Sequence, residues 1–192
     1  MKPSTISLAG QEWMATNLDV TTFRNGLPIM LATESEAWAY AAHNNLPACC
    51  DYEDNAVLGS LFGKLYNFHA VNSPYGLAPQ GFKIPSRKAW EHLAQALGGF
   101  QRAGATLKST DFWEFSSPMV SEPSHHFFQA VPAGLRYENG FCDLANFHAF
   151  FWIAEALHAK DAYGINLYAD DSLLLMRHYA KGNGFSVRCI KD

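Results

Sequence analysis

The chain has 192 residues, with 14 Lys and Arg against 18 Asp and Glu, a formal charge of −4. Its longest basic run is Arg87-Lys88, which excludes a nucleic-acid binder working through a phosphate-facing patch. With 48% hydrophobic residues, 14 Phe, 8 Tyr and 5 Trp, disorder is excluded as well, and a chain of this length buries roughly 70% of its unfolded surface without a metal or a disulfide.

The first twenty residues hold no apolar run of signal-peptide type, and no membrane span is expected anywhere. The expectation is synthesis in the cytoplasm, compatible with display on a phage particle or a cell surface. Residues 6–20 read as a short strand and hairpin, followed by a turn at Arg24-Asn25-Gly26, where Asn-Gly suits positive φ. Thr33 and Glu36 have capping-box spacing and predict a short helix through Trp38 and Ala41, fraying at His43-Asn44-Asn45. The stretch 63–71 reads as a second helix, with Leu65, Phe68 and Asn72 on one side and Pro74 as its stop. Ser86 caps a third, in which Trp90, Leu93 and Leu97 recur at i, i+3 and i+7 before Gly98. Arg87 and Lys88 in its first turn oppose the helix dipole.

From Phe112 onward, short apolar runs alternate with Gly, Asn, Asp and Pro, and predict strands at 127–131, 150–154, 164–168, 173–179 and 185–190. The sum is an α+β chain, read as one domain over 1–192, with two firmer helices flanking a twisted antiparallel sheet. Trp13, Trp90, Leu93, Leu97, Phe185 and Val187 are expected in the core.

Six ordered blocks then carry a resemblance. Gln11-Glu-Trp-Met-Ala-Thr-Asn-Leu18, Phe23-Arg-Asn-Gly26 with Pro28-Ile29, and Gly63-Lys-Leu-Tyr-Asn-Phe-His-Ala-Val-Asn72 come first. Gly81-Phe-Lys-Ile-Pro-Ser86 with Trp90 and Leu97-Gly-Gly99, Ala130-Val-Pro-Ala-Gly-Leu-Arg136, and Gly184-Phe-Ser-Val-Arg-Cys189 follow. Together they resemble the Fibrobacter succinogenes major paralogous domain. That resemblance implies a C-type-lectin-like fold related to the formylglycine-generating enzymes. Its members are mostly secreted proteins without an assigned role.

The relatives' chemistry can be looked for residue by residue. A formylglycine-generating site needs two cysteines that hold copper near the C-terminal sheet, and Cys142 and Cys189 lack that spacing. The related iron enzymes use His-x3-His-x-Glu, a spacing that none of the eight histidines has; His125-His126, being adjacent, would face opposite sides of a strand. A lectin calcium site wants a Glu-Pro-Asn or Gln-Pro-Asp loop, whereas Glu122-Pro123-Ser124 lacks the amide; Asp170-Asp171-Ser172 reads better as a polar turn. No CxxC pair points to zinc, and Cys49-Cys50 read as two thiols. The resemblance leaves a Cys50–Cys189 pairing open. No catalytic residue, metal or cofactor is therefore expected.

The chain departs from the family pattern between 153 and 183. Leu173-Leu174-Leu175-Met176 makes a strand apolar on both faces, which needs a cover or a partner on the second face. Tyr163, Gly164, Asn166, Tyr168, Asp170, Leu174, His178, Tyr179 and Asn183 belong to the residue types that adenine mutagenesis of Asn-type codons produces; Met176 and Lys181 do not. In this the chain resembles the variable proteins of diversity-generating retroelements. The expected function is a non-catalytic ligand-binding module of receptor or adhesin type. Its ligand-binding residues would be Tyr163, Asn166, Tyr168, Asp170, Leu174, Met176, His178 and Tyr179, with Tyr163, Tyr168, Leu174, Met176, His178 and Tyr179 exposed. The expected partner is a protein or a glycan, with no nucleic acid and no membrane span. The alternatives are a formylglycine-generating type of oxidase and a structural or assembly protein of a phage or cell surface.

Overall fold

The computed structural model describes residues 3–114 and 128–192. The expectations at Glu122-Pro123-Ser124, His125-His126 and Phe127 fall outside these. Strands β1 (Thr5–Leu8) and β2 (Gln11–Met14) form the N-terminal hairpin. Then come β3 (Met30–Leu31), α1 (Ser35–His43), β4 (Ala48–Cys50), α2 (Ala56–Phe62), β5 (Leu65–Asn67), α3 (Phe68–Val71) and β6 (Phe82–Lys83). Next are α4 (Arg87–Ala96), α5 (Ala103–Leu107), β7 (Ala133–Arg136), β8 (Cys142–Ala145) and β9 (His148–Ala156). The series ends with β10 (Asp161–Tyr168), β11 (Leu175–Ala180), β12 (Gly184–Phe185) and β13 (Ile190–Lys191). The molecule is α+β. A four-stranded sheet runs β1-β2-β13-β6, and a nine-stranded one runs β11-β10-β9-β7-β12-β5-β4-β3, with β8 beside β7. The pairings are antiparallel apart from β3 with β4 and β7 with β9.

Helix α4 forms as the sequence predicts. Ser86 Oγ accepts from Ala89 N at 3.3 Å, and Trp90, Leu93 and Ala94 are buried on one stripe. The basic first turn is offset from outside the helix by Glu155 on β9, whose Oε1 accepts from Arg87 N at 2.9 Å, and from within it by Glu91, which pairs with the guanidinium one turn on. Leu97, expected in the core, is only half-buried.

The capping box at Thr33 does not form. Helix α1 opens at Ser35 behind Glu34, which makes no side-chain cap bond, while Ser35 Oγ donates to Gly140 O at 3.2 Å. Nor is 63–71 one helix. Leu65–Asn67 pairs with β4 and β12, and only one helical turn follows. Asn67 Oδ1 caps that turn at Ala70 N and also accepts from Ala48 N. Sheet pairing on both sides outweighs the weak helical pattern. Within 128–131 there is a single bridge, Lys108 with Ala130, and the strand lies further on, at β7.

Three clusters make the core. Tyr66, Phe68, Trp152 and Phe185 anchor the first; Trp13, Trp90, Phe128 and Phe151 the second; Trp38, Phe62 and Cys50 the third. All four cysteines are free thiols, with Cys50 and Cys189 in different clusters. Burial pushes the thiols of Cys49, Cys50 and Cys189 up to about 12. Two buried arginines tie distant segments together. Arg136 reaches the carbonyls of Ala32, Thr33 and Gly140 and pairs with Asp54 at 3.0 Å. Arg188 joins the last strands to the N-terminal hairpin through Asn17, Met14 and Ala15. Among the described residues no helix is long and apolar enough to cross a membrane.

Candidate binding surface

Strands β9, β10 and β11 make the outer end of the large sheet, and β11 is the terminal strand of its order. The register sets Tyr163 opposite His178 and Ile165 opposite Met176, whereas Ala162 faces Tyr179, Gly164 faces Arg177 and Asn166 faces Leu175. Strand alternation therefore divides the expected site residues between two faces.

On the α4 face, Phe151, Ile153, Ile165 and Leu167 pack with Trp90 and Leu93. Past the helix, Tyr163 lies half-buried under the Arg87 guanidinium, 4.6 Å from its ring centre. Met176 is half-buried beside the same cluster, and His178 is exposed, with Nδ1 3.9 Å from Asp161 Oδ2. His158 Nε2 stands 3.1 Å from the same oxygen while its Nδ1 accepts from Lys160 N, so Nε2 carries the proton and donates to Asp161.

On the other face, His148 stacks on Phe150 at 5.6 Å and meets Tyr168 edge-on at 4.3 Å. Tyr179 is half-buried against Phe150 and Phe185, and burial raises its hydroxyl to about 12. The absent side chain of Gly164 makes room for it, since a Cβ there would meet Tyr179 Cδ2 at 3.1 Å. Asn166 stands between His148 and Tyr179, near enough to favour the charged form of each. Its Oδ1 and the His148 Nδ1 are buried and fall short of hydrogen-bond geometry.

Of the six residues expected exposed, only His178 is. Tyr163, Tyr168, Met176 and Tyr179 are half-buried, and Leu174 is buried, as is Asn166, an expected ligand-binding residue. Leu174, expected exposed, is 1% exposed. Its backbone N donates to Phe100 O, and a Cβ on Gly104 of α5 would collide with Leu173 O, so the 100–104 segment covers this end of the apolar run. Asn166 is 3% exposed, because its side of β10 faces the His148 and Tyr179 rings. Asp170 is exposed in the turn after β10. Asp171 Oδ1 accepts from Leu173 N and its carbonyl from Lys108 Nζ, so this acidic pair serves a turn. No group of three or more His, Cys, Asp or Glu among the described residues could hold a metal ion.

What remains open is a strip of Tyr163, Met176 and His178, bordered by Asp161 and Arg87. Sequence reasoning missed Arg87 and Asp161; the one usable signal was a cation placed against a helix dipole, which asked for a tertiary partner.

The family model of the Fibrobacter succinogenes major domain matches residues 6–191. The chain belongs to this family. No curated protein and no solved structure matches it. The family blocks fall on the scaffold: Asn17 and Arg188 are bonded to each other, Arg136 ties β7 to Thr33 ahead of α1, and Trp90 fills the second cluster. The candidate strip lies between them in sequence, within 153–183.

Proposed function

We propose that this domain is a non-catalytic ligand-binding module of receptor or adhesin type on a C-type-lectin-like scaffold. Its binding strip is Tyr163, Met176 and His178, bordered by Arg87 and Asp161, with Tyr168 and Tyr179 on the opposite face of the sheet and Asp170 in the turn after β10. Its partner is a protein or a glycan. The observation that carries the reading is the strip itself. Ring, thioether and imidazole lie side by side at the outer end of a sheet whose structural ties, Arg136 and Arg188, are elsewhere. Rings of this kind supply contact area at small entropic cost. Of the three, His178 is exposed while Tyr163 and Met176 rest on the second core cluster, so variation by a diversity-generating retroelement would fall most freely at His178. Helices α1 and α4 against the sheets suit the lectin-like architecture.

Glycan arrays and a displayed peptide library, probed with the full chain, test the reading. The His178→Ala variant should lose about tenfold or more in affinity for whatever is bound, at an unchanged melting temperature. Stoichiometric copper or iron in the purified protein, with oxidation of a cysteine peptide, would establish the oxidase instead. A near-copy of the 3′ end of the gene, differing at adenines, would support diversification.

A further inference from the structure

A surface cleft of about 550 Å³ lies away from the strip, where the β9–β10 turn meets α3 and the chain beyond it. None of Tyr163, Met176 and His178 lines it. Its volume is within the usual range of small-molecule sites.

Lys181 supplies its charge. Nζ donates to the carbonyls of His158 at 2.7 Å and Ala159 at 3.1 Å and stands 5.7 Å from the centre of the Phe68 ring. Two of three ammonium protons are thus committed, the arm is held, and one donor remains. The backbone beneath is braced as well: Phe68 N donates to Lys181 O, and Lys181 N to Lys160 O, each at 2.9 Å. No Asp or Glu is among the described residues that line the cleft, so the cation faces an opening without a counter-charge.

The other polar groups are of one kind. Asn45 and Asn72 bring amides, Ser73 a hydroxyl, and His69 an imidazole. Burial first, then Lys181, holds His69 below its ordinary value, so it is neutral at pH 7 with one donor and one acceptor nitrogen. Tyr75 is 50% exposed at the lip, its ring 5.8 Å from Phe23. Amides, hydroxyl and neutral imidazole each offer both a donor and an acceptor, as a sugar hydroxyl does. A phosphate monoester dianion only accepts, and would leave the Asn45 and Asn72 carbonyl oxygens unanswered while finding a single cation.

We infer that this cleft binds an acidic sugar of the uronic acid type, with the carboxylate on Lys181, the hydroxyls on Asn45, Asn72, Ser73 and His69, and a ring face on Tyr75. The inference goes beyond the binding strip and stands or falls separately from it.

The test is calorimetric titration of the full chain at low salt. The probes are the methyl glycosides of glucuronic and galacturonic acid, the methyl glycosides of glucose and galactose, and acetate. One uronide should bind with a Kd of about 1 mM, roughly tenfold tighter than its neutral parent and than acetate. Lys181→Met should weaken it about tenfold and Lys181→Arg much less. Tyr75→Ala should weaken it about threefold at an unchanged melting temperature, which keeps the test decisive if Lys181→Met loosens the β9–β10 turn. Three outcomes overturn the inference: a neutral parent or acetate binding as tightly as the uronide, no uronide reaching saturation, or full affinity in Tyr75→Ala together with a folded Lys181→Met.

Discussion

His148 and His69 show what burial does to a single side chain. Burial is the largest cause of the lowered pKa of each; Asn166 opposes it at His148, and Lys181 adds to it at His69. In the unfolded chain both ionise near the usual value of about 6.5. The unfolded state therefore takes up protons more readily than the folded one. The stability they support is complete above about pH 6.5 and declines as pH falls through that value. The melting temperature should be level between about pH 8 and 7 and fall between about 6.5 and 5. The His69→Gln/His148→Gln double variant should fall less steeply, and an identical slope would contradict the assignment.

At the scale of elements, α4 and β11 show how the core is divided from the surface. Trp90 meets Trp13 at 5.0 Å and Phe128 and Phe151 at 5.7 Å each. Trp90→Ala should cost ~3–5 kcal/mol, as large buried aromatics do. Strand β11 and its lead-in change character along their length: Leu174 lies under the 100–104 segment, whereas His178 faces solvent. Leu174→Ala should therefore cost ~2–5 kcal/mol and His178→Ala within about 0.5 kcal/mol. Denaturant unfolding of the pair reads this directly, and equal losses would refute the division. Much of the element plan was legible beforehand, because a cap followed by i, i+3, i+7 spacing is local information. The 65–67 strand was not, since its partners are at Cys49–Cys50 and Gly184–Phe185.

The whole molecule is closed by its ends. Strand β13 lies between β2 and β6, and Arg188 beside it makes an unusual tie. Asn17 Oδ1 accepts from its Nε at 3.0 Å and Nη2 at 2.7 Å, and the carbonyls of Met14, Ala15 and Phe128 accept from Nη1. The Phe128 ring centre is 4.5 Å from the guanidinium carbon. Burial pulls the Arg188 pKa down to about 9, still charged at neutral pH. Removing the side chain leaves several buried acceptors unanswered, at ~1–3 kcal/mol each. Arg188→Met should thus cost at least about 3 kcal/mol, and Arg188→Lys should not restore it, because an ammonium cannot reproduce the planar fork. The midpoint of urea unfolding measures both; a Lys variant as stable as the parent would sink this account.

The sequence by itself determined the α+β class, the helix begun by Ser86, the apolar runs that became β9 and β10, and the family. Each of these rests on neighbours a few residues apart or on ordered blocks. Tertiary structure alone decided that Leu174 is covered, that Asn166 turns inward, that the expected site residues divide between two faces, and that Lys181 meets His69 across a cleft. The physical reason is reach. Leu174 is covered from Phe100, and the cleft is assembled from Asn45, the 68–75 stretch, Ala159 and Lys181, so no local pattern brings those groups together until the chain has packed.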